Sequence, residues 1–142
     1  MCHRGASALA PENSLRAFQL ARDYGADMSE LDVHLSRDGE LVVTHDAELH
    51  LADGSRVDVA DLAAAELAEL DLRDGGRVPR LREVFELAKP GRMGLYVELK
   101  GDGTAEVLAA LLEAGAGDGV PLIAGSAVPR LVAGLSRAML DP

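Results

Sequence analysis

The sequence predicts an α/β fold in which strands and helices alternate along a single domain. Short apolar segments typical of buried strands alternate with longer segments whose apolar residues recur at helical spacing. This alternation is typical of parallel βα units. The 142 residues suit one domain with its own core, and they contain no internal repeat, low-complexity tract or linker. We therefore expect residues 1–142 to form one domain around a parallel sheet.

Five segments are predicted to be helical from apolar residues at helical spacing or from a high alanine and leucine content. They are residues 14–24, 61–70, 81–88, 104–115 and 129–140. Asn13 is able to cap the first helix, and Gly25 is placed to end it. Thr104 is the expected N-cap of the fourth helix, and Pro90 ends the third.

Four segments are predicted to be strands from their short apolar runs. They are residues 30–35, 40–44, 95–99 and 120–124. Asp38-Gly39 separates the first two, and this pair is typical of a hairpin turn. The other two each follow a predicted helix, so we expect them to join a parallel sheet. His50 is predicted to lie in a loop.

Composition excludes several classes of function. The net charge of −10 argues against a nucleic-acid partner, which needs a basic surface, and against an anionic membrane surface. No apolar run approaches the roughly 20 residues of a membrane span, so we expect no stable membrane insertion. The single cysteine, Cys2, excludes an intrachain disulfide and fits a reducing compartment. With no signal-peptide pattern at the start, the expected location is cytoplasmic.

Acidic residues on the predicted strands suggest a cation site. Glu30 and Asp32 are two apart, so they share one face of their strand at roughly 6.5–7 Å, and Glu98 shares a face with Lys100. Converging carboxylates repel one another unless a cation lies between them, and oxygen ligands select a hard ion such as Mg²⁺ or Ca²⁺. Taken alone, however, Glu30 and Asp32 fit better as the solvent face of an edge strand.

Four short polar clusters occur in order along the chain: His3-Arg4-Gly5, Glu30-Leu31-Asp32, His45-Asp46 and Glu98-Leu99-Lys100. Five further short motifs lie between these clusters: Pro11-Glu12-Asn13-Ser14, Gly25-Ala26-Asp27, Arg37-Asp38-Gly39, Val42-Val43-Thr44 and Val78-Pro79-Arg80-Leu81. In this order and with these flanking residues, the chain resembles the glycerophosphodiester phosphodiesterase family. The resemblance covers residues 1 to about 100 well and is faint beyond residue 120.

The resemblance implies a (β/α)₈ barrel of the TIM type. Such a barrel typically needs about 250 residues, and this chain has 142. The expectation is therefore a partial barrel, with residues 1–142 forming about the first half of a single glycerophosphodiester phosphodiesterase domain that is truncated at its C-terminus. A half-barrel leaves a sheet edge open, so we expect the isolated chain to self-associate or to be only marginally stable.

The resemblance also implies roles for site residues. It implies metal ligation by Glu30, Asp32 and Glu98, acid–base catalysis by His3 and His45, and binding of the substrate phosphate by Arg4 and Lys100. An imidazole can accept or donate a proton near neutral pH, and a guanidinium offers a forked donor to phosphate. Without the resemblance, a structural role is more common for a single histidine, and each cation could simply neutralise nearby carboxylates. Which histidine is the acid stays open, while His34 and Asp46 are expected to be structural.

The function that the resemblance implies is metal-dependent hydrolysis of glycerophosphodiesters to glycerol 3-phosphate and an alcohol. The cofactor would be Mg²⁺ or Ca²⁺, and the partner a small-molecule glycerophosphodiester. Three alternatives stay open: an inactive truncated fragment, a metal- or phosphate-binding module without turnover, and a phospholipase D-like lyase on a similar barrel. Nucleophilic attack by water or by a substrate hydroxyl is also undecided.

Overall fold

A computed structural model describes residues 1–127 of the chain. The strands are β1 (Cys2–His3), β2 (Met28–Leu35), β3 (Leu41–Val43), β4 (Glu48–His50), β5 (Arg56–Asp58), β6 (Gly94–Leu99) and β7 (Leu122–Gly125). The helices are α1 (Leu15–Asp23), α2 (Ala64–Ala68), α3 (Leu81–Ala88) and α4 (Thr104–Glu113). No helix in this part of the chain is long and apolar enough to cross a membrane.

A parallel sheet forms the centre of the fold, with its strands in the order β1-β2-β6-β7. Each pair of neighbours in this order is parallel. The chain passes through α1 between β1 and β2, through α3 before β6, and through α4 between β6 and β7. This is the predicted succession of parallel βα units, and the strand order follows the chain.

The apolar core lies between this sheet and the helices. Leu31 and Val33 of β2 and Val97 of β6 are fully buried, in one cluster with Phe18 of α1 and Phe85 of α3. Because side chains alternate along a strand, the intervening residues of β2 and β6 project from the opposite face of the sheet. That inner face is the one that carries the acidic residues.

The predicted hairpin after β2 is present. β3 pairs with β2 in antiparallel orientation, with Val33 opposite Val43 and Leu35 opposite Leu41. Gly39 has φ of +78° in the connecting turn, a conformation that suits glycine. The hairpin returns the chain to the sheet, because the Thr44 N–H donates to the carbonyl of Asp32 at 3.0 Å.

The segment between the hairpin and α3 differs most from the sequence-based expectation. The predicted helix 61–70 is reduced to the five residues of α2 and is preceded by a short 3₁₀ turn, Val59–Asp61. His50 lies at the end of β4 in a two-stranded sheet with β5, so its predicted loop position is wrong. Strands of three residues are too short to show a period of two in the sequence. A second apolar cluster, which includes Leu49 and Leu67, packs this segment together.

Helix ends also correct two predictions. Ser14, not Asn13, caps α1, because its Oγ accepts the N–H of Ala17 at 3.2 Å. Gly103 is the N-cap of α4 and Thr104 is its first residue. Gly25 follows α1 with φ of +80°, as predicted for the residue that ends this helix. The predicted helix 129–140 lies outside the described residues.

The sheet has open edges in the part of the chain that the structure describes. There, β1 pairs only with β2, and β7 pairs only with β6. We expect the isolated chain to associate or to unfold at low urea concentration, because an open strand edge pairs with other chains. Light scattering combined with a urea titration measures both properties.

A matched variant sharpens this test. Ile123 of β7 is half-buried on the inner face, in register with Tyr96. Ile123→Lys places a charge beside the open edge, so it should lower the association of the chain. A wild-type chain that is a monodisperse monomer with a steep, high-midpoint transition would contradict the prediction.

Candidate active site

Three carboxylates converge on the inner face of the sheet. Glu30 and Asp32 come from β2 and Glu98 from β6, and the register places Asp32 directly beside Glu98. One oxygen from each residue lies within 4.8 Å of the others. Glu30 is 6% exposed and Asp32 is 1% exposed, whereas Glu98 is partly open to solvent. Two neighbouring parallel strands thus bring together all three predicted metal ligands.

The electrostatics of this cluster fit a divalent cation. Burial, followed by repulsion from the Asp32 carboxylate, raises the pKa of Glu30 to about 7. The Arg4 backbone N–H donates to Glu30 Oε2 at 3.2 Å and partly opposes this shift. A cation would relieve the repulsion, and a set of carboxylate oxygens suits a hard ion. The residues present therefore fit the implied metal.

Two basic side chains border the carboxylates. Arg4, at the end of β1, has its Nε 3.3 Å from Asp32 Oδ2 and forms a further ion pair with Glu12. Lys100 follows β6, and its Nζ lies 3.2 Å from Glu98 Oε1 and 3.7 Å from Asp32 Oδ1. Both predicted phosphate-binding cations are thus adjacent to the acidic cluster. Each also compensates the charge of those carboxylates, so the structure is compatible with both roles weighed from the sequence.

The two predicted acid–base residues lie on separate segments. His3 ends β1 with its imidazole mostly exposed and its Nε2 3.5 Å from Glu30 Oε2. His45 follows β3, and its Nδ1 lies 2.7 Å from Asp46 Oδ1. The carbonyl of His45 lies 2.9 Å from His34 Nε2, which holds this backbone against β2. His34 and Asp46 therefore support the segment that carries His45.

A cleft of about 220 Å³ opens beside His45. Its other walls include Asn13, Asp46, Arg73 and Asp74. The cleft is therefore bordered mainly by polar groups and is large enough for a small polar ligand. His50 also borders it, from the β4–β5 hairpin.

One contact of the site was not foreseen from the sequence. Asn13, predicted as a helix cap, instead donates from Nδ2 to Asp32 Oδ2 at 3.1 Å. It has φ of +56°, and asparagine is one of the few residues other than glycine that tolerate this conformation. Adjacent Asn13 and Ser14 are both good caps, so the choice between them was not encoded locally. Glu12, the residue before Asn13, forms its ion pair with Arg4 at the edge of the same cluster.

The raised pKa of Glu30 predicts a pH effect on the stability of the metal-free chain. The folded-state pKa of about 7 exceeds the ordinary 4.5. The stability contributed by protonated Glu30 is therefore fully present below about pH 4.5 and is lost as the pH rises through about 7. Glu30→Gln removes this loss and should raise the free energy of unfolding at pH 8 by about 1–2 kcal/mol. Urea titrations with a chelator present measure it.

The exposed Glu106 on α4 supplies the control for this experiment. Glu106→Gln removes the same charge from the outside of the fold, so its free energy of unfolding should follow the wild-type pH dependence. If Glu30→Gln also followed the wild-type curve between pH 4.5 and 8, the raised pKa would be refuted.

Similarity to known proteins agrees with this geometry. Residues 3–115 match the Glycerophosphoryl diester phosphodiesterase family. The chain is 38% identical over 107 residues to a glycerophosphodiester phosphodiesterase of Caldanaerobacter subterraneus, covering 70% of this chain and 44% of that protein. It is 40% identical over 97 residues to a rat lysophospholipase D, covering 59% of this chain and 31% of that protein.

Solved structures give the same relationship. An Oleispira antarctica phosphodiesterase, determined with the product sn-glycerol-3-phosphate, superimposes with a TM-score of 0.78 at 33% identity, covering 88% of this chain and 56% of that chain. The predicted fold class is confirmed: the α/β arrangement corresponds to about half of the barrel of such relatives. Because the family match spans residues 3–115 of 142, this chain belongs to the glycerophosphoryl diester phosphodiesterase family.

Proposed function

We propose that this chain contributes the metal and phosphate site of an enzyme that hydrolyses glycerophosphodiesters to glycerol 3-phosphate and an alcohol. The main supporting observation is the convergence of oxygens from Glu30, Asp32 and Glu98 within 4.8 Å, beside two basic side chains. Relatives named as glycerophosphodiester phosphodiesterases support the substrate class. The chain spans about 44% of the length of such a relative. Activity is therefore proposed for a complete site that includes this chain, and it is not assigned to these residues alone.

In this proposal Glu30, Asp32 and Glu98 hold one Mg²⁺ or Ca²⁺ ion. When bound, the ion would supply charge stabilisation for the transferring phosphoryl group. The protein fixes the ligand positions through the pairing of β2 with β6, because both strands belong to the centre of the sheet. Their rigidity favours a site that is formed before the cation arrives.

Arg4 and Lys100 bind the substrate phosphate in this proposal. They border the acidic cluster from two sides. Arg4 follows β1 and Lys100 follows β6, and these strands flank β2 in the sheet. Arg4 can offer a forked pair of N–H donors, whereas Lys100 offers a compact positive charge. A phosphate placed between them would therefore be oriented by one residue and neutralised by both.

His3 and His45 move protons in this proposal. The Nδ1 of His45 lies 2.7 Å from Asp46 Oδ1. In the tautomer that carries its proton on Nδ1 and donates it to Asp46, Nε2 is the nitrogen with a free lone pair. That tautomer leaves Nε2 of His45 able to accept a proton. His3 is open to solvent, which suits exchange of a proton with a departing alcohol. Attack by water and attack by a substrate hydroxyl both remain compatible with these roles.

A second candidate is hydrolysis of a lysophospholipid, which the name of the rat relative supports. The deciding assay compares cation-dependent release of glycerol 3-phosphate from glycerophosphocholine with release of choline from lysophosphatidylcholine. Binding of Ca²⁺ without release of product from either substrate would instead support a binding module without turnover.

Metal binding gives the first test of the proposed site. Glu30→Gln and Glu98→Gln keep the size of each side chain but remove a charged ligand, so each should weaken Ca²⁺ binding by more than about 100-fold. Isothermal titration calorimetry measures the affinity and the number of ions. Glu106→Gln changes the net charge equally at an exposed position and should keep wild-type affinity. Unchanged affinity in both cluster variants would remove these ligands from the proposal.

Proton transfer gives the second test. It uses the form of the protein that hydrolyses glycerophosphocholine, whether this is the single chain or an association of chains. His45→Ala removes the proposed acid–base group and should lower kcat on the order of 10²–10⁴-fold, with Ca²⁺ affinity retained. His50→Ala is the matched control, because His50 borders the same cleft from the β4–β5 hairpin and has no proposed role. Near-normal kcat in His45→Ala would return His45 to a structural role.

A further inference from the structure

Asn13 makes a buried contact with one of the proposed metal ligands. It is 4% exposed, and its Nδ2 donates to Asp32 Oδ2 at 3.1 Å. Arg4 Nε approaches the same oxygen at 3.3 Å. The other oxygen, Oδ1, faces Lys100 at 3.7 Å. The two oxygens of Asp32 therefore have different surroundings, and Asn13 supplies the hydrogen bond to Oδ2.

The contact with Asp32 distinguishes the two possible orientations of the Asn13 amide. If the amide were rotated by half a turn, its oxygen would face the carboxylate, which places acceptor against acceptor. In the observed orientation the Asn13 Oδ1 is buried without a hydrogen-bond partner among residues 1–127. A buried acceptor without a partner is unfavourable. Asn13 is therefore not a structural residue whose hydrogen-bonding groups are all satisfied. The contact with Asp32 accounts for its orientation.

The backbone holds Asn13 firmly in place. Its N–H donates to the carbonyl of Arg4 at 3.0 Å, and the next residue, Ser14, is the N-cap of α1. The residue adopts φ of +56°, which disfavours most side chains. A rigid donor of this kind can restrict rotation of the carboxylate that it contacts.

We propose that Asn13 is a positioning residue, which fixes the orientation of the Asp32 carboxylate so that Oδ1 is presented to a divalent cation. This inference rests on the proposed metal site and extends it to a residue that would not touch the ion. Without Asn13, the Asp32 carboxylate can rotate, so its orientation is no longer fixed before the cation binds. The cation must then restore that orientation when it binds.

Two variants separate this role from a general effect on stability. Asn13→Gly and Asn13→Ala both remove the donor, but the alanine variant is strained at φ of +56° and the glycine variant is not. Both should weaken Ca²⁺ binding to the full chain by about 10–100-fold in isothermal titration calorimetry. Urea titrations without metal should rank the alanine variant as the less stable of the two.

Ser14→Ala is the matched control at the neighbouring residue. It removes the cap of α1 and lowers stability, yet it should keep wild-type Ca²⁺ affinity because Asn13 still contacts Asp32. Wild-type affinity in Asn13→Gly, or losses of affinity that follow stability across all three variants, would overturn the positioning role while leaving the metal site intact. If the wild-type chain binds no Ca²⁺ or Mg²⁺, the proposed metal site and the positioning role both fail.

Discussion

Repulsion among three carboxylates is the physical constraint on which the rest of the site depends. The parallel pairing of β2 with β6 places Asp32 beside Glu98, and strand periodicity adds Glu30 to the same face. Because Glu30 and Asp32 are buried, water screens their charges only weakly. The fold must therefore neutralise this cluster, and it does so through Arg4, Lys100 and a raised pKa at Glu30. A hard cation would complete that neutralisation and add the chemistry that phosphoryl transfer needs.

The connection between β1 and α1 places polar groups against the buried carboxylates, and its backbone geometry is unusual. Arg4 and Asn13 both have positive φ. This conformation costs about 1–2 kcal/mol for a residue such as Arg4 and less for asparagine. Gly5 packs so closely on α1 that an added Cβ would lie 2.8 Å from Ala17. This close packing seats the connection against the helix. The Arg4 N–H then reaches Glu30, and the Asn13 amide reaches Asp32. Local strain is thus located where polar groups must meet buried carboxylates.

The β2–β3 hairpin has a comparable role for His45. It carries the chain away from the parallel sheet and back, so that the segment after β3 contacts the end of β2. His34 holds the backbone of His45, and Asp46 contacts its imidazole. The second apolar cluster lies behind this hairpin and includes Val42 of β3. Packing remote from the carboxylates therefore supports the position of a proposed proton-transfer group.

The sequence by itself determined the α/β class, the helix 81–88, the hairpin at Asp38-Gly39 and the identity of the charged clusters. These features depend on local periodicity and turn chemistry, which are readable in short segments. Tertiary structure alone decided that Asn13 contacts Asp32 while Ser14 caps α1. It also decided that His50 joins a two-stranded sheet and that only five residues of the predicted helix 61–70 are α-helical. The reason is that these outcomes depend on contacts between residues distant in the chain. Neither residue preference nor spacing specifies which of several acceptable local partners a side chain finally meets.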